Sequence, residues 1–310
     1  MLPATIRKDI PVLNSSFPKA LQSCIKTPYI APPEIAKSIV AGNEGFDTGG
    51  TEHRIQAVYG EEIWLKLERA GLSPEVFHGA DVLEVCAGTG LLTYHLLQRC
   101  RPQHFTVNDI SATELSLAQQ FIGKAYPDAS IDWVVGDVHT FEFGRQFDLI
   151  IGNSFIHHFH NVPKVLARFV AMLKQGGVFI SLHEPTPMST VVEGAKLAAW
   201  PLAVLAPGFV NDVARARYKG QPSSTDLWMF EAEKIKQAAW RAGFAEAVTI
   251  PWGLLRAIVV QQRGLHLSDT KPALSPDELR RFRRAIRADA LLNRVLPQRC
   301  FGSICILCRR

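Results

Sequence analysis

The chain has 310 residues, 47% of them hydrophobic and 20% charged, which supplies a sizeable core and excludes a generally disordered polymer. Its formal net charge is +5, but the excess is local: residues 265–310 carry 10 Lys and Arg against 4 Asp and Glu, whereas the preceding 264 residues hold 24 against 25. Six cysteines in this length do not read as a disulfide scaffold, the apolar stretch 195–210 is broken by Pro201 and Pro207, and no apolar leader run opens the sequence, so a cytoplasmic protein with free thiols is expected.

Residues 1–50, rich in Pro, Ser and Gly, read as an N-terminal arm. From Glu52 to Ala70, Ile55, Val58, Tyr59, Ile63, Leu65 and Leu67 recur at helical spacings, and Gly71 supplies a stop. A strand over Asp81–Val85 then runs into Cys-Ala-Gly-Thr-Gly and a helix ending near Arg99. Phe105–Asn108 is a second strand, followed by the capping box Ser111-Ala-Thr-Glu114 and its helix. Ile131–Val135 and Phe147–Ile151 are the third and fourth strands, Asn161 caps another helix, and Val178–Leu182 is the fifth strand. Strands alternating with helices predict βαβ units and a mainly parallel sheet, whose buried strands should be continuous apolar runs such as DLII and VFIS. The segment 185–225 interrupts this rhythm as an insertion. A helix over Glu231–Ala242 closes at Gly243, and Glu246–Ile250 and Arg256–Val260 are expected to be the last two strands.

The sharpest motif is Val82-Leu-Glu-Val-Cys-Ala-Gly-Thr-Gly90. A glycine turn between strand and helix lets a ligand approach the backbone and meet unpaired N–H groups at the helix start. Packing alone can also call for glycines there. A dinucleotide fingerprint would need a third glycine where Thr93 stands. Glu84, two residues before the turn, favours a ligand carrying an amino group over a pyrophosphate.

These residues resemble the first motif of the class I S-adenosylmethionine-dependent methyltransferases, (Asp/Glu)-x-Gly-x-Gly-x-Gly, with Cys86 in place of the first glycine. A cysteine suits that position if the backbone keeps a negative φ. Later segments agree in order: Val107-Asn-Asp-Ile-Ser111, Gly136-Asp-Val138, the run from Phe147 to Phe159, Leu173-Lys-Gln-Gly-Gly-Val-Phe-Ile180 with Gln175 for the usual proline, and Ala239-Trp-Arg-Ala-Gly-Phe244. The resemblance covers roughly residues 50–260. It implies a Rossmann-like, doubly wound α/β fold, with a mainly parallel seven-stranded sheet and an antiparallel last strand. The implied organisation is an arm over 1–50, a methyltransferase domain over 51–264 with a helical lid insertion at 185–225, and a basic amphipathic extension over 265–310.

The implied cofactor is S-adenosylmethionine, held by Glu84, Cys86, Ala87, Gly88, Gly90, Asp109, Ile110, Asp137, Val138 and Asn153. Gly88 and Gly90 would admit it against the backbone, Glu84 would meet the methionyl ammonium, and Asp109 the ribose hydroxyls. Asp137 would accept from the adenine amino group, with Val138 and Ile110 on the ring faces, and Asn153 would stand beside the transfer point. Asp109 also reads as a helix N-terminal charge, and Asp137 and Asn153 as ordinary turn residues.

Methyl transfer from a sulfonium is an in-line displacement that mainly needs alignment, with a general base for some acceptors. His157 and His158, after the fourth strand, are the candidate bases, and His183-Glu184, after the fifth, is a second candidate pair; a loop-ordering role remains open for each. The apolar insertion suits a small apolar or aromatic metabolite, although packing or a dimer surface would use the same residues. In the tail, Leu279, Phe282, Ile286 and Ala290 share one helix face ringed by arginines, opened by Ser275-Pro-Asp-Glu278. Such a helix packs on its own domain or contacts a membrane surface or protein partner through 275–310. Cys300, Cys305 and Cys308 lack a fourth ligand, so no metal site is expected, and buried thiols in a terminal strand or turn are the simpler reading. The alternatives are a protein or nucleic-acid methyltransferase docking through the tail, a non-catalytic cofactor-binding module, and an NAD-dependent oxidoreductase. Without an Asn-Pro-Pro-Tyr-like motif after the fourth strand, methylation of bases is disfavoured.

Overall fold

The structure is a computed structural model that describes residues 51–159, 161–186, 229–256 and 275–310, with the backbone alone for 51–58. The N-terminal arm and the insertion from residue 187 onward lie outside the described residues. Helix α1 spans Thr51–Arg69, β1 Asp81–Val85, α2 Leu91–Arg99, β2 His104–Asp109, α3 Ala112–Ala125, β3 Ile131–Val135 and β4 Phe147–Gly152. Then follow α4 at Val162–Met172, β5 at Leu173–Pro185, α5 at Ala232–Ala242, β6 at Glu246–Trp252, α6 at Pro276–Leu292 and β7 at Ser303–Arg309.

The caps follow the sequence. The Ser111 side chain accepts from the Glu114 N–H at the start of α3, and Asn161 accepts from Lys164 N–H at the start of α4. Ser275 and Glu278 form a full capping box on α6, and Gly243 ends α5 at φ 108°.

All seven strands form one sheet in the order β3-β2-β1-β4-β5-β7-β6. Strands β1 to β5 are parallel, and β7 is antiparallel to both of its neighbours. Strand order reverses between β1 and β4, so the crevice beyond their carboxyl ends is the natural ligand position. The period of two sends Leu83 and Val85 to a core with Phe155, Phe169 and Phe179 under α4 and α5. Val82, Val107 and Ile151 face the opposite core, with Trp64 and Leu67 of α1 and Leu96 of α2. At the amino edge Lys174 Nζ clamps Asp81 at 2.6 Å and Asp148 at 2.8 Å, away from that crevice.

Two expectations are corrected here. The seventh strand is Ser303–Arg309 and not Arg256–Val260: Leu255 and Arg256 open a helical turn, and 257–260 lie outside the described residues. The SICILC run is the better strand because it is buried on both faces between β5 and β6. Residues 303–309 therefore belong to the sheet, and a boundary at 264 would cut through the fold. The basic helix α6 lays Phe282 and Ile286 against α1, where Glu61 receives Arg283 at 3.0 Å and Arg287 at 2.6 Å. Phe282 and Ile286 of its apolar face are thus covered by the protein's own packing. Cys305 and Cys308 are buried thiols of β7, as expected.

Candidate active site

The loop after β1 is built from left-handed backbone. Gly88 has φ 55° and Gly90 φ 84°, which glycine adopts without steric cost, and Gly90 caps α2. A Cβ on Gly90 would lie 3.0 Å from the Ala118 Cβ, so close packing of α3 also requires the glycine. Cys86 does not keep the negative φ that would suit a cysteine there: it sits at 53°, where a glycine would be relaxed. Its thiol is pushed well up by burial and by the charges of Asp109, Asp137, Glu184 and Glu114. Four carboxylates thus converge electrostatically on the middle of the loop. Ala87 is half-buried there, its N–H donating to Asn108 O at 3.1 Å.

Asp109 ends β2 and is buried. Gly88 N–H donates to its Oδ2 at 2.8 Å and Ser111 N–H to its Oδ1 at 2.9 Å. Burial raises its pKa against the pull of these amides. A carboxylate is acceptor-only and can take hydroxyl donors beside such amides. Glu84 is the least comfortable acid of the set: Thr93 Oγ1 donates to its Oε2 at 2.7 Å, while its buried Oε1 has no partner. Burial and the nearby Asp109 charge push Glu84 up to about 8.

Asp137, after β3, is partly buried, and its Oδ1 faces the His139 N–H at 2.9 Å and ring Nδ1 at 2.7 Å. Ile110 is half-exposed beside Asp109, whereas Val138 is buried in the core cluster with Phe155 and Phe159. Asn108, which the motif reading passed over, ties the loops together by donating from Nδ2 to Val134 O and Gly136 O at 3.0 and 2.9 Å.

At the end of β4, Asn153 is half-buried and Ser154 turns at φ 59°. His157 is buried and His158 partly so, their ring centroids 4.1 Å apart. Glu184, fully buried on β5, organises the pair. Its Oε1 accepts from the N–H groups of Phe155 and Ile156, each at 3.0 Å, and from the Ser181 hydroxyl. Its Oε2 accepts from His157 N–H at 3.2 Å and from His157 Nδ1–H at 2.6 Å. Burial opposes its ionisation, but His157 and the donors hold it below the usual carboxylate range. An acceptor-only carboxylate on Nδ1 fixes the tautomer that carries the basic lone pair on Nε2. His158 instead hydrogen-bonds Ser154 O through Nε2 at 3.1 Å, which suits loop ordering. The two sequence-adjacent histidines are thus separated in role by a residue 27 positions away from the first.

The region from β1 to the start of β5, residues 82–177, matches a family model described as a methyltransferase domain. Over these residues the chain is similar to the class I S-adenosylmethionine-dependent methyltransferases. Among its relatives, the malonyl-[acyl-carrier protein] O-methyltransferase of Neorickettsia risticii is 32% identical over 156 residues, covering 50% of this chain and 58% of that protein. The corresponding Haemophilus ducreyi enzyme is 34% identical over 98 residues, covering 32% and 38%. The 2-phytyl-1,4-naphtoquinone methyltransferase of Nostoc punctiforme is 26% identical over 229 residues, covering 68% and 96%. The chain therefore spans about half the length of the first two of these methyltransferases. In fold, it is similar to phosphoethanolamine N-methyltransferase 2 of Haemonchus contortus, solved with S-adenosyl-L-methionine, at 16% identity and TM-score 0.52, covering 81% of this chain and 52% of that one.

The residues of this site fit S-adenosylmethionine as a cofactor. An unpartnered, buried Glu84 oxygen matches an ammonium, and the glycine turn leaves the backbone open. Among the described residues, no group of His, Cys, Asp and Glu side chains could hold a metal ion, and no helix is long and apolar enough to cross a membrane.

Proposed function

We propose that the protein transfers a methyl group from S-adenosylmethionine, in line, to an O–H or acidic C–H of a small apolar or aromatic acceptor. The observation that carries this reading is the His157–Glu184 pair, buried where β4 and β5 end. Glu84 would hold the cofactor's ammonium, Asp109 its ribose hydroxyls, and Asp137 and Ile110 its adenine end, with Cys86, Ala87, Gly88 and Gly90 lining the backbone approach. Asn153 would stand beside the transfer point. When bound, the cofactor supplies an electrophilic methyl carbon. His157 Nε2 takes the acceptor's proton, Glu184 stabilises the imidazolium so formed, and buried Phe155 and Phe159 around them exclude water. Val138, sealed in the core, acts as a floor under this loop and not as a ring contact.

The relatives named for quinone substrates support an apolar aromatic acceptor. Those named for malonyl-[acyl-carrier protein] favour a second reading, in which the acceptor arrives on a carrier protein. One assay separates them: S-adenosylhomocysteine formation with a panel of quinols and phenols on one side and malonyl thioesters, free and carrier-bound, on the other. The leading reading expects turnover with the aromatic set, lost in Asp109→Ala together with cofactor binding and lost in His157→Gln with binding retained. Turnover restricted to carrier-bound thioesters selects the second reading, and the absence of S-adenosylmethionine binding overturns both.

A further inference from the structure

A second group of charged side chains lies between α1, the bulge of β5 and the residues after β6, and none of the roles above uses it. Glu62 and Lys66 are both buried, on the same side of α1, with Lys66 Nζ 2.8 Å from Glu62 Oε1. Arg256, after β6, donates from Nε to Glu62 Oε2 at 2.8 Å. Two cations therefore share one carboxylate. Asp289 of α6 stands nearby, but its oxygens take the N–H groups of Leu255 and Arg256, at 2.8 and 3.0 Å.

His183 faces this group. The β5–β7 register slips between Leu182 and Glu184, which makes His183 the extra residue of a β-bulge. Its φ of 89° is a conformation that non-glycine residues rarely hold, and such strain clusters where a side chain must be aimed. The aim here is at no protein partner, because Nδ1 is buried without a hydrogen bond. Burial first, then the charges of Lys66 and Arg256, keep the ring neutral, and His157 lies within the same electrostatic reach. Tyr59, one turn before Glu62, feels both Glu62 and Glu84.

We propose that Lys66, Arg256 and His183 form a receptor for a carboxylate of the methyl acceptor, which would complete the pairing of the two cations and occupy the unpartnered His183 Nδ1–H. This rests on the methyltransferase reading and narrows its substrate to an acidic molecule whose apolar remainder lies toward His157. Glu62 is the spacer that holds both cations in place.

The test uses the full chain saturated with S-adenosylhomocysteine, and benzoate with its neutral isostere benzamide as probes, followed by calorimetry or ligand-observed NMR. Benzoate is expected to bind at least tenfold more tightly than benzamide. It should weaken at least tenfold in Lys66→Met and at least threefold in His183→Phe, with S-adenosylhomocysteine affinity within twofold of the parent in both. Lys66→Met leaves Glu62 with Arg256 as its remaining cation, so a cooperative thermal melt together with the retained S-adenosylhomocysteine affinity serves as the check that the variant is folded. Equal binding of the two probes, binding of neither, or benzoate affinity unchanged by these substitutions would overturn the receptor. Failure of the parent protein to bind S-adenosylhomocysteine is a different result and overturns the cofactor reading instead.

Discussion

Glu84 is the residue at which cofactor binding and fold stability oppose each other, and Glu84→Gln separates the two. In the folded chain its carboxyl is pushed up to about 8 from an ordinary 4.5 by burial, with a contribution from Asp109. A raised carboxyl binds its proton more tightly folded than unfolded. Its contribution is therefore full below pH 4.5 and is lost as pH rises from there through 8, by an upper bound of about 5 kcal/mol. An ammonium beside the unpartnered Oε1 reverses the preference and draws the carboxylate out. Binding of S-adenosylhomocysteine at pH 7 should then release close to one proton, and affinity should climb with pH between about 6 and 8, approaching tenfold per pH unit. Glutamine keeps the volume and an acceptor for Thr93 but cannot ionise. Glu84→Gln should flatten the loss of cofactor-free stability between pH 4.5 and 8. It should also lower affinity about 10- to 100-fold at pH 8 and erase the pH slope. Calorimetry in two buffers of different ionisation enthalpy counts the proton, and thermal unfolding from pH 5 to 9 gives the stability curve. A parent protein that releases no proton at pH 7, or a variant whose affinity keeps the parent's slope, would refute this assignment.

Four further outcomes follow from the geometry. Glu184→Gln should lower kcat about 10²- to 10⁴-fold and shift the acid limb of the pH–rate profile, with S-adenosylhomocysteine affinity little changed; a purely structural Glu184 would lower stability without moving that limb. Cys86→Gly should relieve a left-handed residue and raise stability by up to about 1 kcal/mol in denaturant melts, with cofactor affinity within threefold; a large loss of affinity would mean that the thiol itself matters. Glu62 lies at about 2, where burial is outweighed by Arg256 and Lys66, so its stabilisation is present above pH 4.5 and lost as pH falls from there toward 2, by about 3 kcal/mol. Denaturant midpoints from pH 3 to 7 should show that slope in the parent and not in Glu62→Gln. Removal of residues 303–310 should abolish the cooperative thermal transition, because it strips the strand between β5 and β6 and leaves two open edges; a truncated chain that melts like the parent would restore the tail to the status of an appendage.

The sequence made legible what local periodicity controls. The strands β1 to β6, the glycine turn and the caps at Ser111, Asn161 and Ser275 each declare themselves within a few residues. The last strand did not, because Arg256–Val260 offers an apolar run of the right length directly after a turn, while the true partner of β5 returns only at Ser303. Choosing between them needs the register of the whole sheet. The site was legible in the same way and failed in the same way. Glu84, Gly88, Gly90 and Asp109 fall at strand ends that the motif marks. The bond that gives His157 its tautomer joins residues 27 apart, and the salt bridge between Glu62 and Arg256 spans 194. The signal that was available for Glu62 and Lys66 is their position: charges four apart, interleaved with Ile63 and Leu67, on a helix that has to face a core.

The tail's excess of positive charge takes its meaning from the same long-range placements. A basic amphipathic helix seen alone fits lipid, a partner or its own domain equally well. The apolar stripe decides between them, since an arginine can serve a solvated face anywhere but Phe282 and Ile286 can be buried only once. They are spent on α1, and Glu61 fixes the register with Arg283 and Arg287 while Asp289 caps the turn at Leu255 and Arg256. That last contact holds the backbone of Arg256, whose side chain reaches Glu62. The helix therefore acts on the site through position and not through surface charge: α6 and α1 together set where Lys66 and Arg256 stand relative to His183. A substitution in the α6 core such as Ile286→Ala should accordingly disturb acceptor binding more than cofactor binding, although Ile286 touches neither.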